Sequence, residues 1–427
     1  MTNTQKAHEF LRIHGMHPDG LDMAAELAGF RANMDSGLAG HFGPADCKML
    51  PAYVTVDGRP PLGEKVLTLD AGGTNLRAAL VSFTEQGAAV EQLRTRPVPG
   101  VGQPTTKEDF LREVAEFAAP LASQADRLGF CFSYPAEILP NGDGKVIEFS
   151  KEIVVTGSTG MLVCRELLEA WTKMGIRAPR TFAVVNDTVA ALLGGYAGFH
   201  GPSDGWLGLI LGTGNNVCYL ADSTHIKRPI PGWEKTKMVI NMESGVYSGF
   251  PQGTFDKQLD AASTAPGTYG NEKMVGGVYQ GEVLRRTLAG AGELFSDGFE
   301  ERLANAGALT SADLSFFAAD GSGELAALCA SEDDREVMAT LVDGLLERAA
   351  KLVTISLAGP IEAENMGKTA PAQVVAEGST FWKNTVLHKK IQAQAEQFIH
   401  GTLGRQCAFI GAENPNLLGA ALAALTR

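Results

Sequence analysis

The chain lacks any apolar run approaching the ~18 residues a membrane-crossing helix needs; its longest runs, such as residues 207–211, are far shorter. Residues 1–15 are polar with no apolar signal-peptide core, so a cytoplasmic location without a membrane partner is expected. Cysteine is sparse: Cys47, Cys131, Cys164, Cys218, Cys329 and Cys407 lie far apart and no C-x-x-C occurs, which predicts reduced, mostly buried thiols. Positive charge is short as well. Lys+Arg 36 against Asp+Glu 49 leaves a formal net charge of −13, spread along the sequence, which argues against nucleic acid as the main partner. No G-x-x-x-x-G-K-[ST] of a P-loop is present, and Gly212-Thr213-Gly214 lacks the third glycine and following helix of a dinucleotide fold. The H-R-D and D-F-G signatures of protein kinases are missing too.

What is present is a chain of 427 residues, 44% hydrophobic and 20% charged, long enough for two α/β domains of ordinary size. Its 50 glycines are well above the usual ~7%, which predicts loops whose backbone takes positive φ or approaches a ligand closely. Met23, Leu27, Phe30, Met34 and Leu38 recur at spacings of three and four, predicting a helix over 22–38. Residues 66–70 read as a strand, 71–75 as a turn and 76–83 as a second strand, a hairpin rather than the opening of a βαβ unit. Thr105 or Thr106 caps a helix expected to reach 128 with a kink or break near Pro120, followed by a strand over 128–134. A strand at 183–185 precedes a helix at 187–194. Residues 207–211, 212–216 and 217–220 then repeat the strand–turn–strand theme about 140 residues after its first occurrence, which suggests an internal duplication. Further on, 237–242 and 374–376 read as strands, and 271–288, 333–357, 385–400 and 414–425 as helices.

Two hairpin turns rich in Gly, Thr and Asn expose backbone N–H groups in concavities suited to phosphate oxygens, and two such turns facing each other clamp one polyphosphate. Asp70 closes the first strand immediately before its glycines. It either holds Mg²⁺ through water beside the phosphates or makes an ordinary Asx-turn. A lone Gly-Gly-Thr-Asn says little, but three stretches follow in order: 69–77, Val185-Asn186-Asp187-Thr188, and 211–216.

Together with 30–38, 49–53, Gly129-Phe-Cys-Phe-Ser-Tyr-Pro135, Ile240-Asn-Met-Glu243, Phe255-Asp256, 272–282 and Ala376-Glu-Gly-Ser379, these stretches give the chain its character. It resembles the hexokinase/glucokinase family of ATP-dependent sugar kinases, within the actin-like ATPase superfamily. The resemblance thins after about 288 and resumes at 376; the length is that of a single catalytic unit. It implies an α/β, two-domain actin-like ATPase (ribonuclease H-like) fold with the active site in the interdomain cleft. The expected small domain is 66–187 plus 413–427, and the large domain 1–65 plus 188–412. The implied activity is transfer of the γ-phosphoryl of Mg-ATP to the 6-hydroxyl of a hexose, glucose favoured, by a monomer or homodimer. A kinase for mannose, fructose or glucosamine, or a non-catalytic sugar sensor, are the alternatives.

The resemblance assigns Asp187 as the base for the 6-hydroxyl, where an isolated Asn-Asp-Thr would be read as a helix cap. Ser150 and Lys151 stand where the family has Thr-Lys in the sugar loop, Lys151 adding positive charge at the hydroxyl and the phosphoryl group or else remaining a solvated lysine. Glu152-Ile153 replaces the usual Gly-Phe of that loop. Ser133, Asn186, Asn216, Glu243 and Glu272 match the other polar sugar-binding positions. On the nucleotide side the resemblance places Gly72, Gly73, Thr74, Asn75 and Arg77 in the first phosphate turn with Asp70 beside Mg²⁺, Gly212, Thr213 and Gly214 in the second, and Gly378 and Ser379 near adenosine or the α-phosphate. Arg77 alternatively pairs within its own hairpin. Glu377 replaces the usual Asp before Gly-Ser.

Overall fold

The computed structural model describes residues 1–56, 58–149 and 153–427. Strands β1 (Val66–Ala71), β2 (Asn75–Thr84), β3 (Gly87–Pro97), β4 (Arg127–Phe132) and β5 (Thr181–Val185) form one sheet in the order β5-β4-β1-β2-β3. In it β1, β2 and β3 are antiparallel, whereas β4 and β5 run parallel to β1. The second sheet holds β6 (Gly205–Leu211), β7 (Asn215–Asp222), β8 (Lys237–Asn241), β9 (Ala372–Glu377) and β10 (Cys407–Ile410) in the order β8-β7-β6-β9-β10, and Leu50–Pro51 adds an edge beyond β8. Here again the first three are antiparallel and the last two parallel to the first. The two strand–turn–strand units are thus the centres of two sheets with the same topology, the architecture an internal duplication leaves.

Two apolar helices join the sheets. Helix α1 (Asp187–Gly198) packs on β6, β7 and β9, helix α2 (Pro415–Leu425) packs on β1, β4 and β5, and the two helices pack on each other. Eight of the twelve residues of α1 and ten of the eleven of α2 are buried, as expected of helices with little polar surface. One core cluster accordingly draws Val66, Val81 and Val185 from the first sheet, Leu220, Val239 and Val375 from the second, and Leu192, Leu193, Leu417 and Leu422 from the helices. The helix crossing is made on bare backbone: a Cβ on Gly419 would stand 1.9 Å from the carbonyl oxygen of Ala190, and one on Gly194 2.2 Å from that of Pro415. The 32-residue helix Glu332–Ala363, with Met23–Leu38, Asn3–Ile13 and Thr385–Gln394 against it, forms the main helical layer of the second sheet's side. Among the described residues no helix is long and apolar enough to cross a membrane.

The helices expected at 187–194 and 333–357 run on to Asp187–Gly198 and Glu332–Ala363, and three others are cut short, broken or changed in type. The one capped by Thr106 stops at Ala122, with Pro120 in its last turn, because residues 127–132 are claimed by pairing with β1 and β5. The stretch 271–288 is two helices, Gly270–Val275 and Gly277–Gly290; Gly276 between them is extended, and the Gly277 N–H donates to the Gly212 carbonyl at 2.8 Å. Residues 385–400 begin as an α-helix and widen to a π-turn over Ala395–His400.

Candidate active site

The turn between β1 and β2 is closed by Gly72 N donating to Asn75 O at 3.0 Å and braced by the Tyr134 hydroxyl, which donates to Gly72 O. Thr74 and Asn75 are exposed at its tip, and Thr74 O accepts from Val98 N at 3.0 Å. Asp70, 3% exposed, lies in register with Arg77 across the hairpin, and Arg77 donates to its Oδ2 through Nε at 2.9 Å and Nη2 at 2.5 Å. Arg77 therefore makes the within-hairpin pair. Burial pushes the Asp70 carboxyl up and the Arg77 guanidinium pulls it back. Its Oδ1 has no N–H or O–H donor among the described residues; the Cys131 thiol, opposite on β4, lies beside it.

The turn between β6 and β7 is closed by Gly212 N donating to Gly214 O at 3.0 Å. Four outside groups hold it. Gly212 O accepts from Gly277 N and from Thr380 Oγ1, each at 2.8 Å; Thr213 O accepts from Val278 N at 3.3 Å; and Asn215 N donates to Glu272 Oε2 at 3.1 Å. Gly378 follows β9 at φ 115°, where a Cβ would meet Leu211 O at 2.4 Å, so the adjoining Gly-Ser turn abuts this one directly and only glycine fits there.

The ends of the two sheets meet between these turns. Asp187 is the first residue of α1, immediately after β5; the N-cap Asn186 accepts from Thr188 N at 2.9 Å, and Asp187 Oδ1 accepts from Thr188 N at 2.8 Å and Thr188 Oγ1 at 3.3 Å. Thr188 Oγ1 in turn accepts from Asn216 Nδ2 at 3.0 Å, which ties the start of α1 to β7. Asn216 Nδ2 also donates to Asn241 Oδ1 at 2.8 Å, and Asn241 Nδ2 donates to Glu243 Oε1 at 2.7 Å. Ser133, 7% exposed, follows β4, its N–H donating to Ala71 O at 3.1 Å. At the end of β9, burial raises the Glu377 carboxyl while Arg77 lowers it and Asp70 and Asp187 raise it further, so carboxylates from both sheets share one field.

Nearly all the residues expected from the sequence are thus gathered at facing strand ends. Ser150 and Lys151 lie outside the described residues. Sequence reasoning missed Thr188, Asn241, Thr380 and Gly277, which hold the expected residues in place. Asn241 carried one signal, an amide closing the apolar strand Met238–Ile240 two positions before Glu243.

Hexokinase family models match residues 206–426 and 9–196. The chain belongs to the hexokinase family. Membership makes it a hexose kinase, with ATP the co-substrate the family implies. Hexokinase-1 of spinach is 30% identical over 387 residues, covering 82% of this chain and 76% of its own. Hexokinase-1 of rice is 29% identical, covering 94% of this chain and 86% of its own. Human Hexokinase-3 is 28% identical over 94% of this chain but only 45% of its own length. Among solved structures, hexokinase from Schistosoma mansoni complexed with glucose superposes with a TM-score of 0.80 over 100% of both chains at 23% identity. The two-domain hexokinase architecture is therefore that of this chain.

Proposed function

We propose that this hexokinase-family enzyme transfers the γ-phosphoryl of Mg-ATP to the 6-hydroxyl of glucose. The observation that carries the reading is the bond between Thr188 and Asn216, which sets Asp187 at the meeting point of two phosphate-type turns. Asp187 accepts the hydroxyl proton while the bond from that oxygen to the γ-phosphorus forms and the bond to the bridging oxygen breaks, releasing ADP. Lys151 contributes positive charge to the transferring group, on the strength of the sequence motif alone. Ser133, Ser150, Asn186, Glu243 and Glu272 take the other sugar hydroxyls. Asn216 acts mainly by organising its neighbours, since its amide nitrogen already donates to Thr188 and Asn241.

The turns at Gly72–Asn75 and Gly212–Gly214 present N–H groups to the β- and γ-phosphates, with Gly378 and Ser379 toward the nucleoside. Among the described residues no three His, Cys, Asp or Glu side chains are grouped to bind a metal directly. Asp70, with Oδ1 lacking an N–H or O–H donor, fits Mg²⁺ held through water; when bound, the ion neutralises phosphate charge.

We place the small domain at 66–187 plus 413–427, supported by the packing of α2 on β1, β4 and β5. A cytoplasmic site of action is supported by six free thiols. Glucose is favoured because the superposed Schistosoma enzyme is complexed with it. The test is incubation with ATP, Mg²⁺ and a hexose panel, with mass spectrometry of sugar phosphates and ADP. Fastest turnover on another hexose would overturn the glucose assignment, and no ADP with any hexose would overturn the reaction.

A further inference from the structure

A hydrogen-bonded chain runs from Asp187 to Glu243 through Thr188, Asn216 and Asn241, and its direction is set by the main chain. Val217 N and Ser244 N both donate to Asn216 Oδ1, at 2.8 and 3.2 Å. Two backbone donors on one oxygen fix which way the amide points. Asn216 Nδ2 must then face Thr188 Oγ1 and Asn241 Oδ1, as it does. Because Asn241 receives at its oxygen, its nitrogen is the end turned to Glu243 Oε1, at 2.7 Å. Because Thr188 Oγ1 receives from Asn216, its own proton is directed to Asp187 Oδ1. Thr188 is fully buried and Asn241 is 6% exposed, so water does not compete for these bonds. Glu243 itself sits at φ 53°, a left-handed conformation held in part by its N–H donating to Asn241 Oδ1 at 3.4 Å.

We propose that Thr188 and Asn241 are positioning residues for the phosphoryl transfer: Thr188 holds Asp187 by Oδ1, and Asn241 orients the Glu243 carboxylate toward the sugar. The proposal rests on the reading that Asp187 is the base and Glu243 a sugar ligand. The two ends of the chain have different kinetic signatures. Loosening the base slows the chemical step, whereas loosening the sugar carboxylate weakens hexose binding.

The experiment compares Thr188→Val, Thr188→Ser, Asn241→Asp and Asp187→Ala with wild type, each checked by thermal melting. Thr188→Val keeps the shape and removes both hydroxyl bonds; kcat is expected to fall about tenfold or more with hexose KM changed less than about threefold, and Thr188→Ser to restore kcat. Asn241→Asp keeps the acceptor for Asn216 but puts a carboxylate against Glu243; hexose KM is expected to rise about tenfold or more, with ATP KM unchanged. Wild-type kcat in Thr188→Val, a fall that serine does not restore, or unchanged hexose KM in Asn241→Asp would overturn the proposal. If Thr188→Val does not fold, the Asn241 arm decides it. Asp187→Ala separates the two levels: if it stays active the base assignment fails, whereas an inactive Asp187→Ala beside normal Thr188→Val and Asn241→Asp sinks only the positioning chain.

Discussion

Glu272 Oε2 accepts from the backbone N–H of Asn215, so a carboxylate proposed for the sugar also grips the second phosphate turn. The side chain lies so close that a Cβ on Gly214 would be 2.2 Å from the same oxygen. Glu243, by contrast, accepts from the Asn241 amide.

The two carboxylates should therefore part company in kinetics. Glu243→Ala is expected to raise hexose KM by about tenfold to a hundredfold and leave ATP KM alone, whereas Glu272→Ala should raise both. Steady-state kinetics with each substrate varied decides it; an unchanged ATP KM in Glu272→Ala would mean the grip on Asn215 is dispensable.

Asp187→Asn keeps the size of the side chain and removes its capacity to take a proton. Turnover is expected to drop by about a hundredfold or more with hexose affinity, read by tryptophan fluorescence, changed far less. A proportionate loss of binding and turnover would move Asp187 out of the base role.

His17 is buried, with Nδ1 accepting from Asp19 N and Nε2 donating to His8 Nδ1 at 3.0 Å. Burial lowers its pKa from 6.5, with Asp19 opposing, and burial lowers that of His388 in the same direction. The unfolded chain then takes up protons first as pH falls below about 6.5, so this contribution to stability is complete above that pH and is lost as pH drops toward the folded-state value. The melting temperature of His17→Asn is expected to fall less between pH 7 and 5 than that of wild type. Parallel curves would show that His17 is not a source of the loss.

Gly419→Ala places a methyl group into the Ala190 carbonyl, and main-chain atoms cannot swing away as a side-chain end does. A loss of about 1–3 kcal/mol or more is expected in urea unfolding. Wild-type stability would show that the helix crossing yields.

The central hairpins were legible because strict strand–glycine–strand punctuation survives without tertiary context. The strand β3 was not, since its residues alternate only between exposed and half-buried and carry no apolar stripe. The helix Asn3–Ile13 buries only Ala7 and Leu11, too few to stand out against its polar residues. Helix signals overshot at 122 and ran through 276 because their limits are set by strand pairing and by the approach to Gly212, contacts remote in sequence. The residues proposed to carry the chemistry were picked out by motifs. Thr188 and Asn241 were not, because a side chain that acts by holding another is identified only when both partners are placed.

The packing of α2 on the first sheet also has a consequence for biosynthesis. Strands β1, β4 and β5 leave the ribosome early, yet the helix that seals their inner face is made roughly 230 residues after β5, with the whole second sheet synthesised in between. Until then the face carrying Val66, Cys131 and Val185 stays uncovered. The first lobe is accordingly committed to finishing last although it is begun early, so the nascent enzyme passes through a stage in which one half is complete and the other waits for its final helix.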